Sequence, residues 1–301
     1  LTTKHKNKPD WFKIRLDVNQ HFQHVRNSLK VGNLHTVCEE ARCPNIHECW
    51  GRGTATFMIL GDICTRSCRF CAVKTGKPQS YDSSEPFRVA EAVRQMNLNH
   101  VVVTSVNRDE LKDGGSAIWA ETVRQIKKLN PNTQVEVLTP DYKGIWEQLK
   151  TVLDANPDIF SHNLETVSSL YKTVRPQAKY FWSLRVLENA SSYGLLTKSG
   201  IMVGLGETHR EIISLMKDAL KVGVDIFTIG QYLQPSKKHL KIERFYPPEE
   251  FKELKQIGLS LGFSCVEAGP LVRSSYHAED QVIQSQILKE QKQKNVINTG
   301  I

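Results

Sequence analysis

Thr54-Ala-Thr-Phe-Met-Ile-Leu60, then Gly-Asp-Ile, then Cys64-Thr-Arg-Ser-Cys68-Arg-Phe-Cys71, is the stretch from which the rest of the chain can be read. The first seven residues form an apolar, β-branched run with no polar alternation, as in a strand buried on both faces. Three cysteines follow within eight residues of loop. Three thiolates are one short of the four that usually hold an iron–sulfur cluster. They can wrap one side of a cubane and leave its remaining iron open. Structural zinc needs four closed ligands, and no His or Cys follows soon after Cys71, so an iron–sulfur site is the better reading.

Similar runs recur downstream. Strands are expected at His100–Val106, Gln134–Thr139, Ile159–Asn163, Ser199–Val203 and Val224–Ile229. Between them lie helical patterns at Pro86–Met96, Ser116–Leu129, Ile145–Leu153, Lys179–Ala190 and Thr208–Val222. The last opens with a Thr208/Glu211 capping box. Pro247-Pro248-Glu249 begins a final helix that runs to Leu261. Six strand–helix alternations predict an α/β fold, a partial (β/α)6 TIM-like barrel with N- and C-terminal extensions. The expected divisions are 1–53, 54–262 and 263–301. Such a barrel carries its chemistry on loops after the strands. Cys64–Cys71, Thr104, His162, Glu165, Glu207 and Gln231 all fall at or after strand ends, although strand ends are commonly polar in any case.

A second cysteine group precedes the first strand: Cys38-x4-Cys43-x5-Cys49, with His35 and His47 in the same segment. By itself it reads as a metal site of open identity, either a cluster or a mixed Cys/His zinc site. Cys265 has no neighbouring ligand and reads as a buried strand cysteine. Gly204-Leu-Gly-Glu207 lacks the third glycine and the position of a dinucleotide loop.

The 301 residues contain 40% hydrophobic and 24% charged residues, ordinary for a globular protein. No run approaches the roughly 18 apolar residues of a membrane span. No secretory h-region opens the chain, and seven cysteines is an odd number, so metal binding is favoured over a disulfide framework. The net charge of +8 is dispersed, apart from the N-terminal run and Lys237-Lys238, with no basic aromatic stripe for nucleic acid.

Cys-x3-Cys-x2-Cys after a first barrel strand resembles the signature of the radical S-adenosylmethionine (SAM) enzymes. Three further features narrow the resemblance to the lipoyl synthase family, over about Trp11 to Asp280. They are His35-Thr-Val-Cys38-Glu-Glu-Ala-Arg-Cys43-Pro-Asn-Ile-His-Glu-Cys49, the C-terminal Arg273-Ser274-Ser275-Tyr276, and a set of internal elements. The internal elements are Thr104-Ser-Val-Asn-Arg108-Asp109, Asp113-Gly-Gly, His162-Asn-Leu-Glu165-Thr, Gly204-Leu-Gly-Glu207 and Gly230-Gln-Tyr-Leu-Gln-Pro-Ser.

The resemblance implies that Cys64, Cys68 and Cys71 hold a [4Fe–4S] cluster whose open iron binds SAM. Electron transfer would then release a 5′-deoxyadenosyl radical. It implies an auxiliary [4Fe–4S] cluster on Cys38, Cys43 and Cys49, completed by Ser275 or, failing that, Ser274. Arg273 and Tyr276 would position the serine or the substrate. For SAM it implies Phe70 near the adenine, Asn163 or Glu165 at the ribose and Arg185 at the carboxylate, with Thr104 and Met202 lining the site. The superfamily's Gly-Gly-Glu element is absent, and Thr104 to Asp109 stands in its place.

The implied reaction inserts sulfur at C6 and C8 of a protein-bound octanoyl chain. The implied partners are an octanoylated carrier (a lipoyl domain or a glycine-cleavage H-type protein), an electron donor such as flavodoxin or ferredoxin, and an iron–sulfur carrier. No nucleic acid or membrane partner is expected, and the expected location is cytoplasmic. A methylthiotransferase acting on RNA is an alternative that expects a further RNA-binding domain. A metal-stabilised binding protein without catalysis is the other.

Overall fold

A computed structural model describes residues 9–12, 18–52, 54–285 and 287. The basic run at 1–8 and the polar tail beyond 287 lie outside the described residues.

The strands are β1 (His35–Thr36), β2 (Thr56–Ile59), β3 (Ile63–Cys64), β4 (Lys74–Thr75), β5 (His100–Ser105), β6 (Gln134–Leu138), β7 (Ile159–Ser161), β8 (Leu196–Val203), β9 (Ile226–Gln231) and β10 (Cys265–Gly269). The helices are α1 (Gln20–Val31), α2 (Val37–Glu40), α3 (Ile46–Gly51), α4 (Glu85–Met96), α5 (Ser116–Leu129), α6 (Trp146–Leu153), α7 (Tyr171–Val174), α8 (Tyr180–Ser192), α9 (His209–Lys221) and α10 (Pro248–Leu261). Among the described residues no helix is long and apolar enough to cross a membrane.

All six strands expected from the sequence are present. The main sheet has eight strands in the order β1-β2-β5-β6-β7-β8-β9-β10, so the β/α core is a partial barrel with two free edges. The two strands beyond the expected six come from the flanking regions. β1 pairs antiparallel to β2, and β10 pairs parallel to β9. The remaining neighbours are parallel, as expected where a helix makes each crossover.

Alternation along each strand sorts the side chains between two environments. Val101, Val103, Val135, Val137, Phe160, Ile201, Val203, Phe227 and Ile229 belong to the main apolar core. The opposite face lines the interior and is polar near its middle. There Glu136 is buried against His100 (3.2 Å), Lys198 (3.2 Å) and Ser161 (2.7 Å).

The small sheet of β3 and β4 frames the Cys64–Cys71 loop at the C-terminal end of β2. The other cysteine group lies toward the opposite end of that strand. β1 runs antiparallel to β2, with Thr36 opposite Phe57, and so brings Cys38 to Thr56. Two groups adjacent in sequence are therefore separated along β2, which is four residues long, about 13 Å at ~3.3 Å per residue.

Candidate active site

The Cys64–Cys71 loop is built around a buried arginine. Arg66 donates to both oxygens of Asp109 (2.7 and 3.0 Å) and approaches Asp141 at 2.7 Å. Asp109 follows β5 and Asp141 follows β6, so this one guanidinium ties the loop to two strand ends. The Cys64 sulfur accepts backbone N–H groups from Arg66 (3.4 Å) and Asn107 (3.3 Å). Burial, with the neighbouring thiols, pushes Cys71 up to about 12, and burial likewise pushes Cys68 up. Thiols in this environment stay protonated unless a cation takes the proton's place.

Phe70 and Met202 pack in one apolar cluster with Val174, Leu205 and Tyr232, beside the loop. Thr104 sits at the end of β5, but its hydroxyl donates to the Leu138 carbonyl at 3.0 Å, between strands. Glu165 has φ 66°, in the left-handed region, and is stitched to β8. Its N–H donates to the Gly200 carbonyl (3.0 Å), and its own carbonyl accepts from the Met202 N–H (2.9 Å). Burial pushes the Glu165 carboxyl up, and the Arg175 guanidinium opposes that shift.

Arg185 is not brought to this group. It is exposed on α8, whose buried face is Ser183, Val186, Leu187 and Ala190. The buried arginine beside Glu165 is Arg175, which donates to the Asn163 carbonyl and the Tyr171 hydroxyl, both at 3.0 Å. It exerts its charge on both Glu165 and Cys68. Arg175 precedes Pro176 in the loop after β7, and that position past a strand end is the signal that could have found it.

The second group is assembled from both chain extensions. Thr36 caps α2 through the Glu39 N–H, which places Cys38 in the first turn. The Cys43 N–H returns to the Cys38 carbonyl at 2.9 Å, and Cys49 lies on α3. After β10 the chain returns to the first cysteine group. Asn45 donates to the Leu271 carbonyl (2.7 Å), and Glu48 accepts from the Tyr276 hydroxyl (2.9 Å). These contacts bring Arg273, Ser275 and Tyr276 to a cavity lined also by Cys38, Cys43 and Cys49.

The Ser275 hydroxyl accepts from Thr56 at 2.8 Å, whereas Ser274 faces the loop after β7 and accepts from Asn163 at 2.6 Å. Burial pushes Cys38 up to about 11 and Cys49 up to about 12, reinforced by the other thiols. Neither histidine of the segment lines the cavity. His47 stacks on Phe22 with centroids 5.1 Å apart, and His35 lies 3.8 Å from Glu40. Cys265 lies on β10, buried with Ile159, Ile226 and Val282.

Both cysteine groups suit cluster chemistry. Among the described residues, no three His, Cys, Asp or Glu side chains are gathered to hold a single metal ion. A cubane does not require that convergence, because each thiolate binds a different iron. Soft sulfur donors, three to a group, with N–H donors on the Cys64 sulfur, fit iron–sulfur binding.

The sequence model of the radical SAM superfamily matches residues 58–219, and that of the N-terminal domain of lipoyl synthase matches residues 2–43. The lipoyl synthase of Geobacillus thermodenitrificans (strain NG80-2) is 60% identical over 282 residues, 93% of this chain and 95% of the relative. That of Bacillus cereus (strain G9842) is 58% identical over 283 residues, again 93% and 95%.

Among solved structures, Streptococcus suis SuiB bound to S-adenosylmethionine aligns with a TM-score of 0.57 at 11% identity, over 75% of this chain and 55% of that one. HydG, a maturase of the [FeFe]-hydrogenase, aligns at 0.54 and 15% identity, over 81% and 61%. At these identities the two structures speak to the fold alone. Near-full-length identity to curated relatives, on a radical SAM fold, places this chain in the lipoyl synthase family.

Proposed function

We propose that Cys64, Cys68 and Cys71 hold the [4Fe–4S] cluster that binds SAM, and that Cys38, Cys43, Cys49 and Ser275 hold a second cluster that gives up its sulfur. The chain is a radical SAM sulfurtransferase whose cofactors are SAM and [4Fe–4S] clusters, and its substrates are octanoylated carrier proteins. When bound, the cofactors supply a radical able to take hydrogen from C6 and C8, and sulfur for each carbon. Neither carbon carries an acidic proton, so no side-chain base could do this work at an ordinary pKa.

The observation that carries the reading is the placement of two thiol groups toward opposite ends of β2, with the interior of the partial barrel between them. An alkyl chain entering that interior would have one group on each side. Arg66 fixes the SAM-side loop through Asp109 and Asp141. Phe70 and Met202 offer an apolar face to the adenine, with Asn163 and Glu165 at the ribose. Arg175, already facing Glu165 and Cys68, is assigned the SAM carboxylate in place of the exposed Arg185. Thr104 keeps a wall position. Tyr276 holds α3, and with it Cys49, through Glu48.

The finer partners follow from the same reading. They are a lipoyl domain or glycine-cleavage H-type protein as carrier, flavodoxin or ferredoxin as reductant, and an iron–sulfur carrier to rebuild the spent cluster, in the cytoplasm. The divisions 1–53, 54–262 and 263–301 are kept as functional units, the outer two donating edge strands and auxiliary ligands to the middle one.

The test is Ser275→Ala in anaerobically reconstituted enzyme, given SAM, a reductant and an octanoylated carrier. Carrier thiolation is expected to fall at least about tenfold, while SAM cleavage to 5′-deoxyadenosine continues. Thiolation at the wild-type rate would remove Ser275 from the assignment. No 5′-deoxyadenosine from the wild type would remove the Cys64–Cys71 assignment.

A further inference from the structure

Two consecutive serines in the Arg273–Tyr276 segment serve different surroundings. Ser275 meets Thr56 and the cavity of the first three cysteines. Ser274 meets Asn163, whose Nδ2 donates to the Ser274 hydroxyl at 2.6 Å. Asn163 stands two residues before Glu165. Its carbonyl is held by Arg175 at 3.0 Å, and its side-chain Oδ1 is buried with no hydrogen-bond partner.

Arg273, one residue before Ser274, is half-buried, lines the cavity of the first three cysteines and donates to the Val272 carbonyl at 2.6 Å. On its other side the 163–165 loop is stitched to β8 through Gly200 and Met202. A short, rigid loop after β7 is thus tied to the segment that presents Ser275.

We propose that Asn163 and Ser274 form a latch through which SAM, on binding the 163–165 loop, sets the position of Ser275 at the auxiliary cysteines. The proposal rests on the reading of that loop as part of the SAM site. A primary amide is planar, with two donors on one end and an acceptor on the other. A ligand hydroxyl donating to the unpartnered Oδ1 fixes that plane, and so fixes the direction in which Nδ2 holds Ser274. Ser274 and Ser275 share a peptide bond, so a restraint on the first limits the second. Asn163 and Ser274 act here as positioning residues. A coupling of this kind is reciprocal: whatever SAM does to the segment, the segment does to SAM affinity by the same factor.

Hydrogen exchange of the peptide 270–278 in the anaerobic holoenzyme, with and without SAM, tests the latch. SAM is expected to slow exchange there at least about fivefold, with a matching loss of SAM affinity in Ser274→Ala by calorimetry. Ser274→Ala should abolish the exchange response and Ser274→Thr, which keeps the hydroxyl, should retain it.

If SAM binds the wild type and leaves exchange in 270–278 unchanged, the latch is wrong while the SAM site stands. A Ser274→Ala variant that responds like the wild type also overturns it, and marks the Asn163–Ser274 bond as static packing. Absence of SAM binding to the wild type overturns both the latch and the reading beneath it. Should Ser274→Ala fail to fold, the wild-type and Ser274→Thr comparisons still decide.

Discussion

Gly230 shows how one missing side chain positions the segment that carries Ser275. A Cβ at this position would stand 2.1 Å from the Val272 carbonyl oxygen. That oxygen is backbone and has no rotamer to retreat into, so the Arg273–Tyr276 segment approaches β9 only because residue 230 is glycine. Gly230→Ala is expected to push the segment off the sheet at a cost of about 1–3 kcal/mol and to lower the iron bound per chain. Urea unfolding and iron analysis would check it, and unchanged iron content with unchanged stability would contradict it. Arg175 and Arg185 illustrate the limit of reading single residues from sequence. Both follow β7, but Arg175, just past α7, turns inward to the Asn163 carbonyl and the Tyr171 hydroxyl, whereas helical phase on α8 leaves Arg185 exposed. No local feature of Arg185 states that phase.

Among the elements, α9 was legible to its cap. The Thr208 hydroxyl accepts from the Glu211 N–H (3.3 Å), and the Glu211 carboxylate accepts from the Thr208 N–H (2.8 Å), the reciprocal box that the spacing predicts. Thr208→Ala should cost about 1 kcal/mol in chemical denaturation and leave SAM binding unaltered, because the cap is exposed and lies outside the cysteine loops. The barrel strands were legible for a related reason: buried on both faces, they are rich in β-branched and apolar residues, with only a few buried polar positions between them. β1 and β10 were not. β1 is two residues long, and β10 carries Glu267 at its centre and pairs on one side only, so neither has the composition of a central strand.

Across the molecule as a whole, Glu136 is a fully buried charge inside the barrel, paired with Lys198 and His100. Burial alone would raise its carboxyl. The Lys198 ammonium and the His100 ring overcome that and lower it from 4.5 to about 2. A depressed carboxylate contributes stability that is fully present above its ordinary value and is lost as the pH falls. Acid unfolding followed by circular dichroism should therefore show a component between pH 4.5 and about 2, and Glu136→Gln should remove it. Lys198→Met leaves the carboxylate buried and uncompensated, with an expected loss of about 3–5 kcal/mol at neutral pH. Adding Glu136→Gln to Lys198→Met should recover more than half of that loss. A double variant no more stable than Lys198→Met would show that the charge pair is not the source.

The chain's linear order is enough to establish the strand–helix alternation, the two cysteine groups and the distinction of Cys64–Cys71 from an ordinary zinc spacing, because periodicity and ligand spacing are local properties. Three features depended on folding. β1 turns back along β2 and so moves Cys38 away from Cys64, its near neighbour in sequence. β10 returns Ser275 to Thr56 across 219 residues. Ser274 and Ser275, alike in sequence, are separated by the partners that their opposite orientations meet, Asn163 for one and Thr56 for the other. Each is a long-range pairing set by which surfaces pack together, and no window of sequence contains both partners.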